Sequence, residues 1–233
     1  PGGRGGFSRA ALVVVSEART GIVNDRLTAI GTGHAVRTVS VRPLVAGQIA
    51  EIPVSSGAHV NAGDVIIRLD SSEEELAVER SRLAAEDAER KANRLGSLAE
   101  QRAISSVEAD NARSELETAR VALKEAELDL ARRTVTAPIT GSLGILSVNA
   151  GDYITTSTDI TTIDDRSDIL VEYYVPERFA APMTVGKPVS VTAIARPGET
   201  FGGAITAVDN RVDEASRTLR AQALVSNERD LLR

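Results

Sequence analysis

The chain has no cysteine and no tryptophan, and only three tyrosines and three phenylalanines in 233 residues. Without thiols there is no disulfide framework, no thiolate metal site and no cysteine nucleophile. A chain without thiols also suits oxidising and reducing compartments equally. With aromatics at 3%, the interior is built mainly from Val, Ile, Leu and Ala, which favours thin layers and helical seams over one bulky core. Lysine is scarce too: of 27 basic residues only Lys91, Lys124 and Lys187 are lysines. The longest aliphatic run, Ala10 to Val15, falls far short of the roughly 20 residues that span a bilayer. Basic residues are scattered through a chain of net charge −6, so the clustered basic face of a nucleic-acid binder is missing.

The remaining composition, 42% apolar and 26% charged, belongs to a folded chain of one large or two to three small modules. It starts at Pro1 and stops in Leu231, Leu232 and Arg233 without a terminating element, so it reads as a piece of a longer protein.

The middle third differs from its surroundings. From about Ser71 to Arg133 there is no proline and a single glycine, Gly96, in a mix rich in Ala, Leu, Glu and Arg. Both flanks are rich in Val, Ile, Thr, Gly and Pro, which reads as helix inserted in β-structure. Ala109, Ala112, Leu116, Ala119, Leu123, Ala126 and Leu130 recur at alternating steps of three and four, a coiled-coil seam. Ala77, Ser81, Ala84, Ala88, Lys91, Leu95 and Leu98 repeat it less cleanly. Ser71 with Glu74 and Ser105 with Glu108 fit capping boxes that start two helices, and Gly96 with the polar residues up to Arg102 lies between them. Two antiparallel helices of about 27 residues would make a hairpin roughly 40 Å long. If Gly96 ends the first helix, Leu98 falls in the turn.

An internal repeat is split by this segment. Residues 45–70 align without a gap on 139–164 at a constant offset of 94, matching Gly47 with Gly141, Val54 with Val148, Gly57 with Gly151, Ile66 with Ile160 and Asp70 with Asp164. Each copy is a run of short strands too small to close its own core, so the two should pair into one β-sandwich, with the hairpin leaving and re-entering at one place. Gly47, Gly57, Gly141 and Gly151 read as turn formers. Further strands are expected within Gly21–Val41 and at Ile169–Tyr174, Val189–Ala193, Phe201–Val208 and Thr218–Val225, as a third, all-β module.

Residues with chemistry to offer find ordinary roles. His34 and His59 have no His or Cys at ligand spacing, Glu73, Glu74 and Glu75 suit the first turn of a helix, and Gly31 with Gly33 does not continue into a dinucleotide fingerprint. No catalytic residue, metal site or cofactor site is expected.

The two glycine-marked half-motifs around a helical hairpin resemble the split lipoyl/biotinyl-like domain of periplasmic adaptor subunits, the membrane fusion proteins of the HlyD/AcrA type. Supporting stretches are TVTAPITG at 134–141, Val175–Phe179, and VDEASRTLRAQALVSN at 212–227, which looks like the barrel of adaptors serving resistance-nodulation-division (RND) pumps. The resemblance implies an elongated α+β fold: an α-helical hairpin (71–133) in a split lipoyl-like β-sandwich (42–70 and 134–165), then a β-barrel module (21–41 and 166–233). Residues 1–20 would be an N-terminal strand left from a membrane-proximal domain. It also implies a non-enzymatic protein of the periplasm, held at the inner membrane by an N-terminal anchor outside this chain. Its partners would be an inner-membrane RND transporter, a TolC-type outer-membrane channel, and further copies of itself in a ring of six, joined through the charged faces of the hairpins. The family's channel-docking pattern at the hairpin tip is matched by Arg94, Leu98 four residues on and Ser105 seven further. Ser105 as a helix cap, Leu98 as a seam residue and Arg94 as a solvated arginine are the ordinary alternatives. A lipoyl or biotinyl carrier would need a lysine at the turn that the hairpin replaces, and Lys91 and Lys124 lie inside the expected helices. An adaptor of an ABC-type exporter or secretion system, and a cytosolic coiled-coil scaffold, are the rival readings.

Overall fold

The computed structural model describes residues 27–232, together with 14, 15 and 17. The strand expected within residues 1–20 therefore falls almost wholly outside the described residues. Four strands come first: β1 (Gly31–Val41), β2 (Gly47–Glu51), β3 (His59–Val60) and β4 (Val65–Leu69). Two helices follow, α1 (Ser72–Glu100) and α2 (Ser106–Arg132). The chain continues through β5 (Thr134–Thr136), β6 (Gly141–Leu143), β7 (Tyr153–Ile154), β8 (Thr161–Pro176), β9 (Pro188–Val191), β10 (Phe201–Asp213) and β11 (Thr218–Ser226). Among the described residues no helix is long and apolar enough to cross a membrane.

The two half-motifs clasp each other, and the offset of 94 governs the pairing as well as the sequence. In β2 against β7, Gly47 lies opposite Ile154 and Gln48 opposite Tyr153. Its counterpart with the halves exchanged is β3 against β6, where Val60 lies opposite Gly141 and His59 opposite Ser142. The same exchange carries Ile67–Val135 of β4 and β5 onto Val41–Thr161 of β1 and β8. It also carries the bond from Ile49 N–H to the Asp152 carbonyl (2.8 Å) onto that from Leu143 N–H to the Ala58 carbonyl (2.9 Å). The halves are thus related by an approximate two-fold, and each supplies strands that the other lacks. Their shared core holds Ile49, Ile66, Ile67, Leu69, Val135, Leu143, Ile154, Ile160 and Ile163, all buried. Each such side chain contributes about 1.5–3 kcal/mol by leaving water, and neither half alone encloses it.

The four repeat glycines divide into two kinds. Gly57 and Gly151 have φ of +79° and +94° and do form turns, in the region where a Cβ is disfavoured. Gly47 and Gly141 instead lie inside strands, buried, where another chain passes close. A Cβ on Gly141 would stand 2.5 Å from the Asp164 carbonyl oxygen, and one on Gly47 would stand 2.8 Å from Arg133 Nη1. The expectation of turns at these two positions is corrected: both lie in strands, and at Gly141 a backbone carbonyl leaves no room for a side chain.

The sixteen residues of β8 run from the sandwich into the second module within one seven-stranded sheet, where β11, then β10 and β9, follow. Strand β1 accompanies β8 along both parts, and its register shifts between Ala35, opposite Ile169, and Arg37, opposite Asp165. At this bulge Arg37 Nη2 binds Asp165 Oδ2 at 2.9 Å. That bond, and a second from the Ser167 hydroxyl, hold the Asp165 carboxyl below its ordinary range. The second module has its own core of Ile169, Val171, Phe201, Val225 and Leu232. Buried Asn227 ties the chain end to the crossing: its Nδ2 donates to the carbonyls of Arg166 (2.9 Å) and Leu232 (3.1 Å). Its Oδ1 accepts from the N–H groups of Leu231 (3.0 Å) and Leu232 (2.9 Å). All four hydrogen-bonding positions of the amide are therefore used, which is what allows it to be buried.

Candidate functional site

The hairpin begins where β4 ends. The expected capping box at Ser71 and Glu74 does not form: the Ser71 side chain makes no cap bond, and its hydroxyl donates to Glu75 at 2.7 Å. Asp70 takes over, accepting from the Ser72 N–H (3.2 Å) and hydroxyl (2.7 Å). These bonds lower the Asp70 carboxyl's pKa, the hydroxyl's first. Glu74 is drawn away to Arg133 at the hairpin's return, a half-buried ion pair. Arg133 also donates through Nη1 to the Ala46 carbonyl (3.2 Å). One arginine thus locks both helix ends to the sandwich at the single place where the hairpin enters and leaves.

The seam of α2 is as expected, with Ala109, Ala112 and Leu116 buried. On α1 it shifts: Ala85, Ala88 and Ala92 are buried, while the expected Ala84 is exposed. Ala88 is buried and Leu95 packs beside it as expected, while Ala85 and Ala92 take the places expected of Ala84 and Lys91. Small residues let the helices approach closely. Two ion pairs cross the interface, Lys91 Nζ to Glu115 Oε2 at 2.6 Å and Arg120 Nη2 to Glu89 Oε1 at 3.0 Å.

At the tip, Gly96 does not end α1, which continues to Glu100. The terminator is Arg102, in the left-handed region at φ +59°. Around it the Ala103 N–H reaches the Leu98 carbonyl (2.9 Å) and the Arg102 N–H reaches the Ala99 carbonyl (2.9 Å), the paired bonds of a Schellman ending. The position usually occupied by glycine there is an arginine, so sequence rules gave no sign of it. Ser105 then caps α2, its Oγ accepting from the Val107 N–H at 3.1 Å. The Glu108 N–H donates to the Ser105 carbonyl at 3.1 Å, but among the described residues its carboxylate returns no bond to the Ser105 N–H, so the second box is half-formed.

The three pattern residues come to this one end of the hairpin. Arg94 is exposed, and among the described residues its side chain has no hydrogen bond or ion pair, while its carbonyl also accepts from the Ser97 hydroxyl. Leu98 is half-buried one turn further along the same face, and its carbonyl closes the turn. The Ser105 hydroxyl is committed to its cap. The tip therefore offers a free planar guanidinium with several fixed donors, an apolar shoulder and the electropositive start of α2, a surface suited to carbonyls and carboxylates of another helical end. His34 and His59 are exposed on separate strands, and among the described residues no group of three or more His, Cys, Asp or Glu could hold a metal ion.

A long two-helix hairpin rising from an interlocked barrel-sandwich, followed by a second β module, defines an elongated adaptor class. Residues 37–164 match the family model for the barrel-sandwich hybrid domain of RND membrane fusion proteins, and residues 169–233 match the CusB-like β-barrel domain. The chain belongs to the RND membrane fusion protein family. It is 31% identical to the multidrug resistance protein MdtA of Cronobacter turicensis over 97% of this chain and 60% of that protein. It spans 48% of a Haemophilus influenzae relative of uncharacterised role, to which it is 30% identical over 78% of its own length. Among solved structures it shares its fold with a MacA–MexA chimera carrying the Pseudomonas aeruginosa MexA α-hairpin (TM-score 0.76, 22% identity, 87% of this chain and 75% of that one). The membrane fusion protein Spr0693 of Streptococcus pneumoniae has the fold as well (TM-score 0.69, 22% identity, 87% and 92%).

Proposed function

We propose that this chain is the bridging portion of a periplasmic adaptor in a tripartite efflux system. The β modules face an inner-membrane RND transporter, the hairpin reaches a TolC-type outer-membrane channel, and several copies, six in the family's manner, surround the conduit. A membrane anchor outside this chain holds the adaptor at the inner membrane, and drugs or other small molecules are the cargo. The observation that carries this reading is the tip: an unpaired Arg94 and Leu98 stand on a rigid hairpin of 29 and 27 residues per helix, with Ser105 opening the second helix. The adaptor performs no chemical step. It supplies reach, through the hairpin, and position, through the Arg133 lock at its base.

Arg94→Asp in the full-length protein tests this. The variant should fold normally, with unchanged circular dichroism, because the Arg94 side chain has no partner among the described residues. Its cells should accumulate a pump substrate several-fold above wild type, while Arg94→Lys, which keeps charge without the planar fork, gives an intermediate level. Wild-type accumulation in Arg94→Asp contradicts docking through the tip.

A further inference from the structure

We propose that Arg166 is a releasable latch across the junction of the two β modules. Engaged, it holds the sandwich and the second module at one angle; released, it lets the strand pair between them bend. This goes beyond the adaptor reading and does not depend on it.

The junction is thin. Strand β6 of the sandwich pairs with β8 as far as Asp164, and β11 of the second module pairs with it from Asp168 onward. Between these limits, at Asp165, Arg166 and Ser167, β1 is the one neighbouring strand among the described residues, and its register slips there. A bulged two-stranded ribbon bends more readily than a wide sheet. Beside it an open cleft of about 600 Å³ lies between His59, Ala62 and Thr140 of the sandwich and Asn227 and Glu228 near the chain end.

Arg166 joins the two walls of this cleft. Its Nη2 donates to Ser142 Oγ on β6 at 2.8 Å and to Asp230 Oδ2 at 3.1 Å. Asp230 is mounted on the second module, because Asn227 holds the turn through the Leu231 and Leu232 N–H groups and Leu232 is buried in that module's core. A single nitrogen therefore grips one residue of each module.

The engaged state carries two local costs. Asp230 has φ of +47°, a left-handed conformation disfavoured for any residue with a Cβ. Arg166 Nε is buried and among the described residues has no partner, a donor denied to water. Against these stand the Ser142 bond and an ion pair whose Asp230 side is 54% exposed, and exposed pairs are weak. Release returns Asp230 to an ordinary backbone and lets water reach Arg166 Nε, while engagement keeps the two bonds. Small terms on both sides leave the two states close in free energy, so that a modest pull on either module shifts their populations.

The chain has no cysteine of its own, so two introduced at Ala62 and Glu228 in the full-length protein can carry spin labels on facing walls of the cleft, and the distance between them reports the angle. The wild type should give one narrow distance distribution. Ser142→Ala and Asp230→Gly should each add a longer population, and Arg166→Gln, lacking both the charge and the fork, should make that population the larger one. Asp230→Gly should do this with an unchanged or raised melting temperature, since glycine accepts the left-handed backbone freely. An unchanged single distance in Arg166→Gln overturns the latch, as does a wild-type distribution already as broad as those of the variants. A lowered melting temperature in Asp230→Gly overturns the release, by showing that the carboxylate is a plain structural support. Distance is the readout, so failure here leaves the efflux test of Arg94→Asp untouched.

Discussion

Gly141 shows how one residue can be fixed by space and not by backbone conformation. It pairs with Val60 in a strand, and the carbonyl of Asp164 crosses so near that even a methyl group has no room. Gly141→Ala should therefore destabilise the sandwich by about 1–3 kcal/mol, the usual penalty for overpacking, measured as a shift of the denaturation midpoint at constant slope. Alanine at an open site would not do this. The repeat makes Gly47 its counterpart, but there the near neighbour is the end of the Arg133 side chain. A flexible guanidinium can yield where a backbone carbonyl does not, so the same change at Gly47 should cost less. At the tip the logic reverses: Arg102 occupies a left-handed position without being glycine, strain of the kind that collects at functional sites.

The hairpin shows what was legible in the sequence at the scale of an element. The α2 seam could be read directly, because Ala109, Ala112 and Leu116 repeat with a period that only a helix pair buries. Its boundaries were harder. Gly96 looked like a helix end, but a glycine can sit inside a helix when the flanking turns hold it, and a Cβ there would meet nothing within 4 Å. Gly96→Ala should therefore stabilise the protein by about 0.5–1 kcal/mol, read by thermal denaturation. A destabilised variant would mean that Gly96 serves a closer contact. The true end, Arg102, was invisible because nothing in an arginine announces a left-handed backbone. The start departs from expectation for a related reason: Ser71 and Glu74 have the right spacing, but long-range competition from Arg133 removes the glutamate and leaves Asp70 to cap. Local rules see spacing, and here a residue fifty-nine positions away decided the outcome.

For the whole molecule, the split repeat was the most informative signal, since a constant offset predicted both the shared core and a single point of entry for the hairpin. The symmetry of strand pairing extends that offset from sequence to register, which explains why the insertion leaves the sandwich closed. The second module was legible as strands, although the long β8 running through both modules was not, because alternation shows that a strand exists and not where it bends. Asn227, the buried amide that fastens the chain end to that crossing, likewise carried no sequence signal. In the adaptor reading, opposite ends of this molecule face opposite partners. Cysteine placed at Leu98 on the tip, or at Val185 in the loop before β9, and coupled to a short bifunctional reagent in cells making the full-length protein, tests it most directly. Leu98→Cys should be recovered joined to the outer-membrane channel subunit and Val185→Cys to the inner-membrane transporter, each identified by mass spectrometry. Recovery of the transporter from the tip position, or of the channel from the Val185 position, would contradict it.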